Sequence, residues 1–474
     1  MTTWTPNLEA SKGPRYLALA NALERDVAAG KLLPGTRLPP HRDLADLLGI
    51  NVSTVTRGYR EARRRGLITG TVGRGTYVSS DAHISSSLVA TDRPPSGALE
   101  LGLVTPLYGH EPDLEAQLRG LLKDSQVQSL MHYTHPRGLP GHRAVGADWV
   151  SRYGLSPSVD EVVVCAGAQH ALNCVLMSLV GVGGRLAVGT LTFPGIKNLA
   201  QMLGIELVPV DIDREGMIPE ALDRACRRGR VDAVYVMPGC DNPTTARMGA
   251  QRRDRLAATI DAHKLLLIED EAYGLICPDP HLPISNRVFS QSVFIAGLSK
   301  VLGPGLRTTF VAAPETTCHR LARGVLNTVW MAPPLSAQLA CRMIGDGTAD
   351  RVLDAKRHES RARIRLARKH LPGLDFSAQD EGYFIWLRLP ELWTGQACEA
   401  RLLERGVSVF GAERFAVGGA VAPKALRVAL SGPADRASLK QGLDTVRDVI
   451  LSGADSAGTA QRPKRADIAA HKGE

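Results

Sequence analysis

From about residue 100, short apolar runs alternate with stretches that have the spacing of helices. Seven runs are of this kind: VVVCAG, RLAVG, IELVPV, DAVYVMP, KLLLIED, VFIAG and TTFVAA. Runs without polar alternation are typical of strands covered on both faces, and their alternation with helices is typical of βαβ units. The sequence therefore predicts an α/β fold with a mostly parallel sheet and helices on both faces. In such a fold, functional side chains collect in the loops at strand ends.

The first eighty residues have a different pattern, three short helices followed by a β-hairpin. Apolar residues recur at helical spacing in residues 16–29, and shorter helices fit HRDLADLLG and NVSTVTRGYREARRRG. Asn51 or Ser53 is a suitable N-cap for the third helix. LITGTVGRGTYVSS then alternates around a Gly-Arg-Gly turn, as a hairpin does. This order predicts a winged helix-turn-helix.

In a winged helix-turn-helix, the third helix enters the major groove and the wing reaches the neighbouring backbone. The early polar residues of the third helix, and Arg74 at the hairpin tip, are the candidates for these contacts. The charge agrees, since residues 1–80 contain twelve Lys and Arg against six Asp and Glu, which leaves +6 of the +9 of the whole chain. The arginine run at residues 63–65 is equally compatible with a solvated helix face.

Residues 15–78 resemble the DNA-binding domain of GntR-type bacterial regulators, most clearly in GKLLPGTRLPPHRDLADLLGINVSTVTRGYREARRRGLITGTVGRGTYV. The resemblance implies contacts with double-stranded operator DNA. The positions concerned are Arg42, Ser53, Thr54, Thr56, Arg57, Gly73, Arg74, Gly75 and Thr76. Pro40 stands where a serine is usual in the family, so one phosphate contact is expected to be missing.

Polar side chains follow several of the predicted strands. CAGAQHAL breaks at Gly167 and a helix begins at once, so free N–H groups there can hold a phosphate. Asp270 ends an apolar strand, where its carboxylate can pair with a protonated ring nitrogen or simply cap a helix. Lys300 follows VFIAG, and Arg307 lies seven residues further on. A desolvated lysine can form a Schiff base with an aldehyde and an arginine can bind a phosphate, although such a pair alone is more typical of a solvated surface.

The order of these motifs resembles that of fold-type I enzymes that use pyridoxal 5′-phosphate, the aminotransferase group, over about residues 100–450. The series is Tyr133 before Gly138, the AGAQHAL turn, Phe193-Pro194, Asn242-Pro243-Thr244, Asp270 with Tyr273, Ser299-Lys300, Arg307 and Arg427. The resemblance implies pyridoxal 5′-phosphate as the cofactor and a smaller C-terminal α+β subdomain beside the main sheet.

By the same resemblance, Lys300 forms the Schiff base with the cofactor, and Asp270 keeps the ring nitrogen protonated. Tyr273 and Asn242 bond the ring oxygen, and Phe193 stacks on the ring. The implied phosphate ligands are Ala168, Gln169, Ser299, Arg307 and, from the partner subunit of a dimer, Tyr133.

Three positions depart from that resemblance. Gly297 stands where a Ser or Thr hydroxyl usually meets the phosphate, Thr245 ends NPTT where Gly is usual, and Glu381-Gly382 replaces a Gly-Gly pair. These changes are expected to weaken cofactor binding or to alter the site.

A GntR-type winged helix joined to an aminotransferase-like domain resembles the MocR-type bacterial transcriptional regulators. The resemblance implies a head-to-tail homodimer that senses an amine, an amino acid or pyridoxal phosphate itself, with Arg427 as the site for the effector's carboxylate. Turnover is expected to be absent, with residual transaminase activity allowed. The alternative is an active pyridoxal phosphate-dependent aminotransferase with an attached DNA-binding domain.

The predicted boundaries are a DNA-binding domain in residues 1–78, a flexible Ser/Pro-rich linker in 79–99, the cofactor domain in 100–450 and a disordered tail in 451–474. No run approaches the roughly 18 apolar residues of a membrane span, and no signal peptide is visible, which favours a cytoplasmic location. The eight cysteines form no C-x-x-C pair, which argues against a zinc site or a disulfide framework.

Overall fold

The computed structural model describes residues 4–8, 14–28, 32, 36–71, 75–79, 97–123, 127–418 and 421–459. Within that part of the chain, every helix is too short or too polar to cross a membrane. The eight cysteines are all free thiols, and only Cys226 is not buried.

The N-terminal domain has the three helices and the hairpin that the sequence predicts. Its elements are α1 (Arg15–Ala28), α2 (His41–Leu48), α3 (Val52–Arg64), β1 (Ile68–Thr71) and β2 (Gly75–Val78), with the two strands antiparallel. At the start of α3, Asn51 Oδ1 accepts the backbone N–H of Ser53 at 2.8 Å, so Asn51 is the N-cap.

Helices α1 and α3 cross at Gly58. A Cβ on that residue would lie 2.7 Å from Leu19 Cδ2, closer than carbon atoms approach, so the crossing needs a glycine. Around the crossing, a small core forms from buried side chains that include Leu19, Leu23, Leu44, Val55 and Tyr59. This core fixes the direction of α3 relative to the rest of the domain.

The larger unit contains a seven-stranded sheet. The strands of this unit up to residue 312, three of which lie outside that sheet, are β3 (Leu99–Glu100), β4 (Val162–Cys165), β5 (Arg185–Gly189), β6 (Glu206–Val210), β7 (Ile212–Asp213), β8 (Gly216–Met217), β9 (Ala233–Val236), β10 (Leu266–Asp270), β11 (Ser292–Gly297) and β12 (Thr309–Ala312). The sheet order is β4-β12-β11-β10-β9-β5-β6. The five strands from β11 to β6 are parallel, whereas β12 is antiparallel to both of its neighbours.

Alternate residues of the sheet enter two different cores, which confirms that both faces are covered. Leu186 and Tyr235 belong to one core, whereas Ala187 and Val234 belong to the other. The helices of this part are α4 (Leu114–Leu121), α5 (Pro140–Ser151), α6 (Ala168–Val175), α7 (Pro194–Met202), α8 (Pro219–Arg228), α9 (Ala250–Ala262), α10 (Glu315–Val329) and α11 (Pro334–Gly345).

The C-terminal subdomain is a four-stranded antiparallel sheet with its own core. Its elements are α12 (Thr348–His370), β13 (Phe376–Ser377), β14 (Phe384–Arg388), α13 (Gly395–Glu404), β15 (Val407–Ser408), β16 (Phe410–Gly411), β17 (Ala425–Ala429) and α14 (Arg436–Thr459). The sheet order is β13-β14-β17-β16, and β15 pairs in parallel with β3.

The last helix differs from the expected boundary at residue 450, because α14 continues to Thr459. Residues 451–459 contain no proline, so nothing interrupts the helical hydrogen bonds that begin at Arg436. The prediction of a disordered tail is therefore wrong for these nine positions. Residues 460–474 and most of the predicted linker, residues 80–96, lie outside the described residues.

Candidate functional site

Four of the predicted ligand-binding residues meet at the carboxyl ends of neighbouring parallel strands. Asp270 is the last residue of β10, Tyr273 follows it, and Lys300 lies three residues beyond β11. Asn242 follows β9, the neighbour of β10 on its other side. Lys300 Nζ lies 5.7 Å from the centroid of the Tyr273 ring. Sequence positions nearly sixty residues apart thus share one cleft, as expected for this edge of a parallel sheet.

Asp270 is buried, and its two carboxylate oxygens differ in their hydrogen bonding. Tyr235 of β9 donates its hydroxyl to Oδ2 of Asp270 at 2.9 Å, whereas Oδ1 has no partner among the described residues. Burial raises the pKa of Asp270 to about 6, and the bond from Tyr235 opposes that rise. A buried carboxylate oxygen without a donor is unfavourable by itself. The site therefore fits a ligand with a cationic N–H group at Oδ1.

Lys300 is held with its amine in a desolvated position. Its Nζ donates to the carbonyl oxygen of Val104 at 2.6 Å, and Tyr383 donates its hydroxyl to the backbone oxygen of Lys300 at 3.1 Å. Burial, together with the positive charges of Arg427 and Lys356, lowers the pKa of Lys300 to about 8. An amine with this pKa is far more often neutral, and therefore nucleophilic, than an exposed lysine.

Arg427 lies in the middle of β17, where it is buried. Its Nη1 donates to Asn242 Oδ1 and its Nη2 donates to the carbonyl oxygen of Gly102, both at 2.7 Å. Its Nε has no partner among the described residues. The guanidinium carbon lies 4.8 Å from the ring centroid of Phe415, in a cation–π arrangement. Burial lowers the pKa of Arg427 to about 10, so it stays a cation at neutral pH.

The N-terminus of α6 and the guanidinium of Arg307 form an anion site. Gly167 precedes the helix with φ of 92°, a conformation that favours glycine, and a Cβ there would collide with Arg307. Arg307 Nη2 donates to the carbonyl oxygen of Ala166 at 3.1 Å, which keeps the guanidinium beside the free N–H groups that begin at Ala168. A helix N-terminus with an adjacent arginine is suited to a phosphate.

Phe193 and Gln169 come together around Gly195. Gln169 Nε2 donates to the carbonyl oxygen of Gly195 at 3.1 Å, and a Cβ on Gly195 would collide with the Phe193 ring. Phe193 itself precedes α7 and is half-buried. Ser299 is half-buried beside Lys300. These side chains complete the side of the cleft that borders the start of α6.

Tyr133 is placed differently from the other predicted phosphate ligands. Its side chain is 81% exposed, and its ring lies 5.6 Å from the ring of Trp330. The single chain therefore presents Tyr133 on an outer face. Such a position is what the prediction of a contribution to the partner subunit requires.

Thr245, one of the three departures, has a left-handed backbone with φ of 63°. Its hydroxyl donates to Ser377 Oγ at 3.1 Å, and its carbonyl oxygen accepts from Gln379 Nε2 at 2.7 Å. The threonine is therefore stabilised in a conformation that glycine adopts more easily, by two contacts with the C-terminal subdomain.

The proposed DNA-contacting residues of α3 are partly engaged within the domain. Ser53 N and Oγ both donate to Asn51 Oδ1, and Thr56 Oγ1 donates to the carbonyl oxygen of Val52. Arg57 is exposed, with its guanidinium carbon 4.3 Å from the centroid of the Tyr16 ring. Of the remaining positions, Arg42 is exposed, Thr54 is half-buried, Gly75 and Thr76 begin β2, and Gly73 and Arg74 lie outside the described residues.

The arginine run at the end of α3 divides into two kinds of residue. Arg64 and Arg65 both donate to Glu61, and Arg65 also reaches Asn21 and Glu24 of α1. Arg63 is exposed. Arg65 therefore stabilises the packing of α3 on α1, and the solvated-face interpretation does not describe it.

Several contacts of the cleft were not predicted from the sequence, and only one of those described next leaves a signal in it. Tyr235 is a phenol inside the otherwise aliphatic strand AVYV, which is a signal that can be read from the sequence. The carbonyl oxygens of Gly102 and Val104 leave no signal, because every residue type supplies a carbonyl. The same holds for the Phe384, Phe410 and Phe415 rings that surround Arg427, because they come from different strands and loops.

Together, these groups form a cleft with three distinct chemical demands. Asp270 Oδ1 needs a cationic N–H, Lys300 offers an amine to an electrophilic carbon, and the N-terminus of α6 with Arg307 offers donors to an anion. A pyridine ring that carries an aldehyde and a phosphate meets all three.

Comparison with known protein families gives two matches that divide the chain. Residues 15–78 match the model for bacterial regulatory proteins of the gntR family, and residues 100–445 match the model for aminotransferase class I and II.

Individual relatives give the same division. The chain is 32% identical over 448 residues to the uncharacterized HTH-type transcriptional regulator YdeF of Bacillus subtilis (strain 168), with 94% of this chain and 97% of YdeF covered. It is 28% identical to the vitamin B6 salvage pathway transcriptional repressor PtsJ of Salmonella typhimurium, with 64% of this chain and 68% of PtsJ covered. Among solved structures, an archaeal alanine:glyoxylate aminotransferase is 22% identical with a TM-score of 0.71, and covers 83% of this chain and 99% of its own.

Proposed function

Since this chain belongs to the MocR-type transcriptional regulators, we propose that it captures an amine or amino acid through pyridoxal 5′-phosphate at Lys300 and changes its affinity for operator DNA in response. Pyridoxal phosphate supplies an aldehyde that condenses with amines and a ring that withdraws electrons when its nitrogen is protonated. The proposal assigns Lys300 the covalent bond, Asp270 the ring nitrogen, and Tyr273 and Asn242 the ring oxygen. Phe193 covers the ring, and the remaining polar groups of the cleft bind the phosphate.

One observation supports the coupling of this site to the DNA-binding domain. Lys300 Nζ donates to the carbonyl oxygen of Val104, and Arg427 Nη2 donates to that of Gly102. Both carbonyls belong to residues 101–105, which we call the leading segment because it directly follows the linker in the chain. Arg427, which is expected to bind the effector's carboxylate, and Lys300, which is expected to bind the cofactor, thus hold the stretch that connects to the winged helix.

Effector binding changes these contacts for a chemical reason. A carboxylate binds an arginine most strongly through two parallel N–H groups. The unpartnered Nε of Arg427, together with the adjacent Nη2, forms such a pair, and Nη2 is the group that now donates to Gly102. A carboxylate at Arg427 therefore competes with the leading segment. The amine of Lys300 cannot donate to Val104 while its nitrogen is bound covalently, and it becomes available for that bond when an effector amine displaces it.

The competition between the effector and the leading segment can be expressed as a difference in binding free energy. An effector shifts the DNA-binding state only by its different affinity for the two arrangements of the protein. In the proposal, Arg427 holds the leading segment before an effector binds, and the released amine of Lys300 holds it after the effector has taken the place of Lys300. The DNA contacts themselves are assigned to Arg42 and Arg57, which are exposed on α2 and α3, and to Thr54 and the wing by the similarity to the gntR family.

The proposal includes a head-to-tail homodimer. Tyr133, Met131 and Trp330 are large side chains with exposed fractions of 81%, 75% and 55%. An exposed cluster of this kind is typical of an interface. In the dimer, Tyr133 would reach the phosphate bound by the partner subunit. Light scattering should then give the mass of a dimer, and Tyr133→Asp should reduce both the mass and the affinity for pyridoxal phosphate.

The central experiment measures DNA affinity as a function of amines. A duplex selected by the purified protein from a random-sequence library serves as the operator, and the twenty amino acids with matched simple amines serve as effectors. At least one compound should change both the visible absorbance of the bound cofactor and the dissociation constant for the duplex. Lys300→Ala should abolish both responses while still binding the duplex. A DNA response of unchanged size in Lys300→Ala would overturn the proposal.

A second candidate function is transamination, because Lys300, Asp270, Tyr273, Asn242 and Arg427 are all present in one cleft. Incubation of the holoprotein with an amino acid and 2-oxoglutarate tests it. Sustained formation of the new oxo acid would support an enzyme with an attached DNA-binding domain, whereas at most one equivalent per subunit would support the regulator.

A further inference from the structure

Thr309 has a fully buried hydroxyl with no hydrogen-bond partner among the described residues. It is the first residue of β12, and it pairs with Gly297 of β11 on one side and with Cys165 of β4 on the other. Hydroxyl groups that are buried in a sheet normally find an acceptor, because an unpaired one is unfavourable. This one therefore needs an explanation.

The location of the hydroxyl is defined by Gly297. The position that a Cβ on Gly297 would occupy lies 3.9 Å from Thr309 Oγ1 and 3.8 Å from Ala168 Cβ. Because Gly297 has no side chain, the space between the Thr309 hydroxyl and the first turn of α6 stays open. Residues directly opposite in an antiparallel pair also direct their side chains to the same face of the sheet. Thr309 therefore faces the same space that a side chain on Gly297 would have entered.

That space borders the anion site already described. Ala168 carries one of the free N–H groups of α6, and Arg307, two residues before Thr309, donates to the carbonyl oxygen of Ala166. The donors of α6 thus come from one piece of backbone, and the guanidinium and the Thr309 hydroxyl come from a second, two residues apart. Gly297, which lacks the hydroxyl expected at its position, lies between the first turn of α6 and Thr309.

We propose that Thr309 donates its hydroxyl hydrogen to the phosphate of the bound cofactor and so replaces the donor that Gly297 lacks. The inference rests on the proposed function, because it takes pyridoxal phosphate as the ligand. It adds a phosphate ligand on β12, outside the loop from Gly297 to Arg307 that carries the other ligands of this part of the chain. In this proposal, the hydroxyl donor lies on β12 instead of on the neighbouring strand β11, and it takes the place of the donor that Gly297 lacks.

The test compares pyridoxal 5′-phosphate with pyridoxal, which has the same ring and aldehyde but no phosphate. Thr309→Val removes the hydroxyl at nearly constant volume, and Thr309→Ser keeps it. In the full-length protein, Thr309→Val should bind pyridoxal phosphate about tenfold more weakly. Its affinity for pyridoxal should equal that of the unmodified protein, and Thr309→Ser should keep both affinities within about twofold of it. Inorganic phosphate should likewise compete less well for the Thr309→Val protein.

A further variant separates a ligand from a structural hydroxyl. Gly297→Ser in the Thr309→Val background restores a hydroxyl at the opposite position, and should recover most of the lost affinity for pyridoxal phosphate. Thermal unfolding without cofactor checks that each variant folds.

Three results would contradict the inference: equal losses for the two vitamers in Thr309→Val, no loss for either, or no recovery by the serine. If the unmodified protein binds no pyridoxal phosphate at all, the proposed function itself fails, and the inference fails with it.

Discussion

The hydroxyl of Tyr235 donates to one oxygen of Asp270 at 2.9 Å, and the other oxygen of that carboxyl group lacks a donor among the described residues. The pair lies on neighbouring parallel strands, so the sheet itself fixes its geometry. Burial raises the pKa of Asp270, and the bond from Tyr235 opposes that rise by stabilising the ionised form. Tyr235 is therefore a positioning residue that keeps Asp270 ready for a cationic ring nitrogen.

We expect the affinity for pyridoxal phosphate to fall as the pH decreases through about 6. The pKa of Asp270 is raised to about 6, so below that pH the carboxyl group holds its own proton and loses its charge-assisted bond to the ring. Tyr235→Phe removes the bond that lowers this pKa, so the decline should begin at a pH higher by roughly one unit. Titrations of cofactor absorbance between pH 5 and 8 measure the shift. Tyr108→Phe, at an exposed position, should leave the curve unchanged, and identical curves for Tyr235→Phe would contradict the assignment.

The rate of covalent capture by Lys300 should rise with pH through about 8. At pH 7, an amine with a pKa of about 8 is neutral in roughly one molecule in ten, compared with roughly one in 2,500 for an ordinary lysine. Stopped-flow absorbance after mixing the apoprotein with pyridoxal phosphate gives the rate. Borohydride should then fix the cofactor on the unmodified protein and on Lys264→Ala, an exposed control. Labelling of Lys300→Ala to the same extent would show that another lysine carries the cofactor.

Arg427→Gln should separate amino acids from amines. The substitution removes the cation and leaves an amide that still fits between Asn242 and Gly102, so the response to an amino acid should require at least tenfold more effector. The response to the corresponding amine without a carboxylate should change by less than about twofold. Loss of both responses to the same degree would indicate a structural role for Arg427 instead.

Arg57→Ala should weaken binding to the selected duplex and reduce the slope of its salt dependence by about one unit. The reason is that an arginine that neutralises a phosphate releases about one counterion. Arg227→Ala, which removes the same charge from an exposed ion pair on α8, should change neither quantity. Equal slopes for Arg57→Ala and the unmodified protein would place Arg57 outside the interface, with the Tyr16 ring as its main contact.

The sequence predicted the two kinds of fold and nearly all of the cleft, because both depend on local patterns. Apolar runs predict strands, and the end of a parallel strand locates Asp270 and Lys300 at one edge. The sequence does not predict the extension of α14 past residue 450, because the Gly, Ser, Asp and Thr residues in this stretch have low helix propensity. Contacts that depend on tertiary packing were also missed, such as the burial of Arg427 among three phenylalanines and the engagement of Thr56 by its own helix.

The departures from the family illustrate the same limit. Gly297 was expected to weaken the cofactor site because it lacks a hydroxyl. The residue opposite it in the sheet cannot be identified from one strand alone. The register of β11 with β12 identifies that residue as Thr309. Thr245 was likewise expected to disturb a turn, and its two stabilising contacts come from residues more than 130 positions away.

The bonds from Lys300 and Arg427 to the leading segment would couple amine binding to DNA binding and DNA binding to amine binding. Coupling free energies are reciprocal, so a duplex that favours one arrangement of the winged helices must change amine affinity by the same factor by which the amine changes DNA affinity. A protein molecule bound to its promoter would therefore have a different affinity for free amines from an unbound molecule. The sensitivity to the effector would then depend on the operator sequence that the protein occupies.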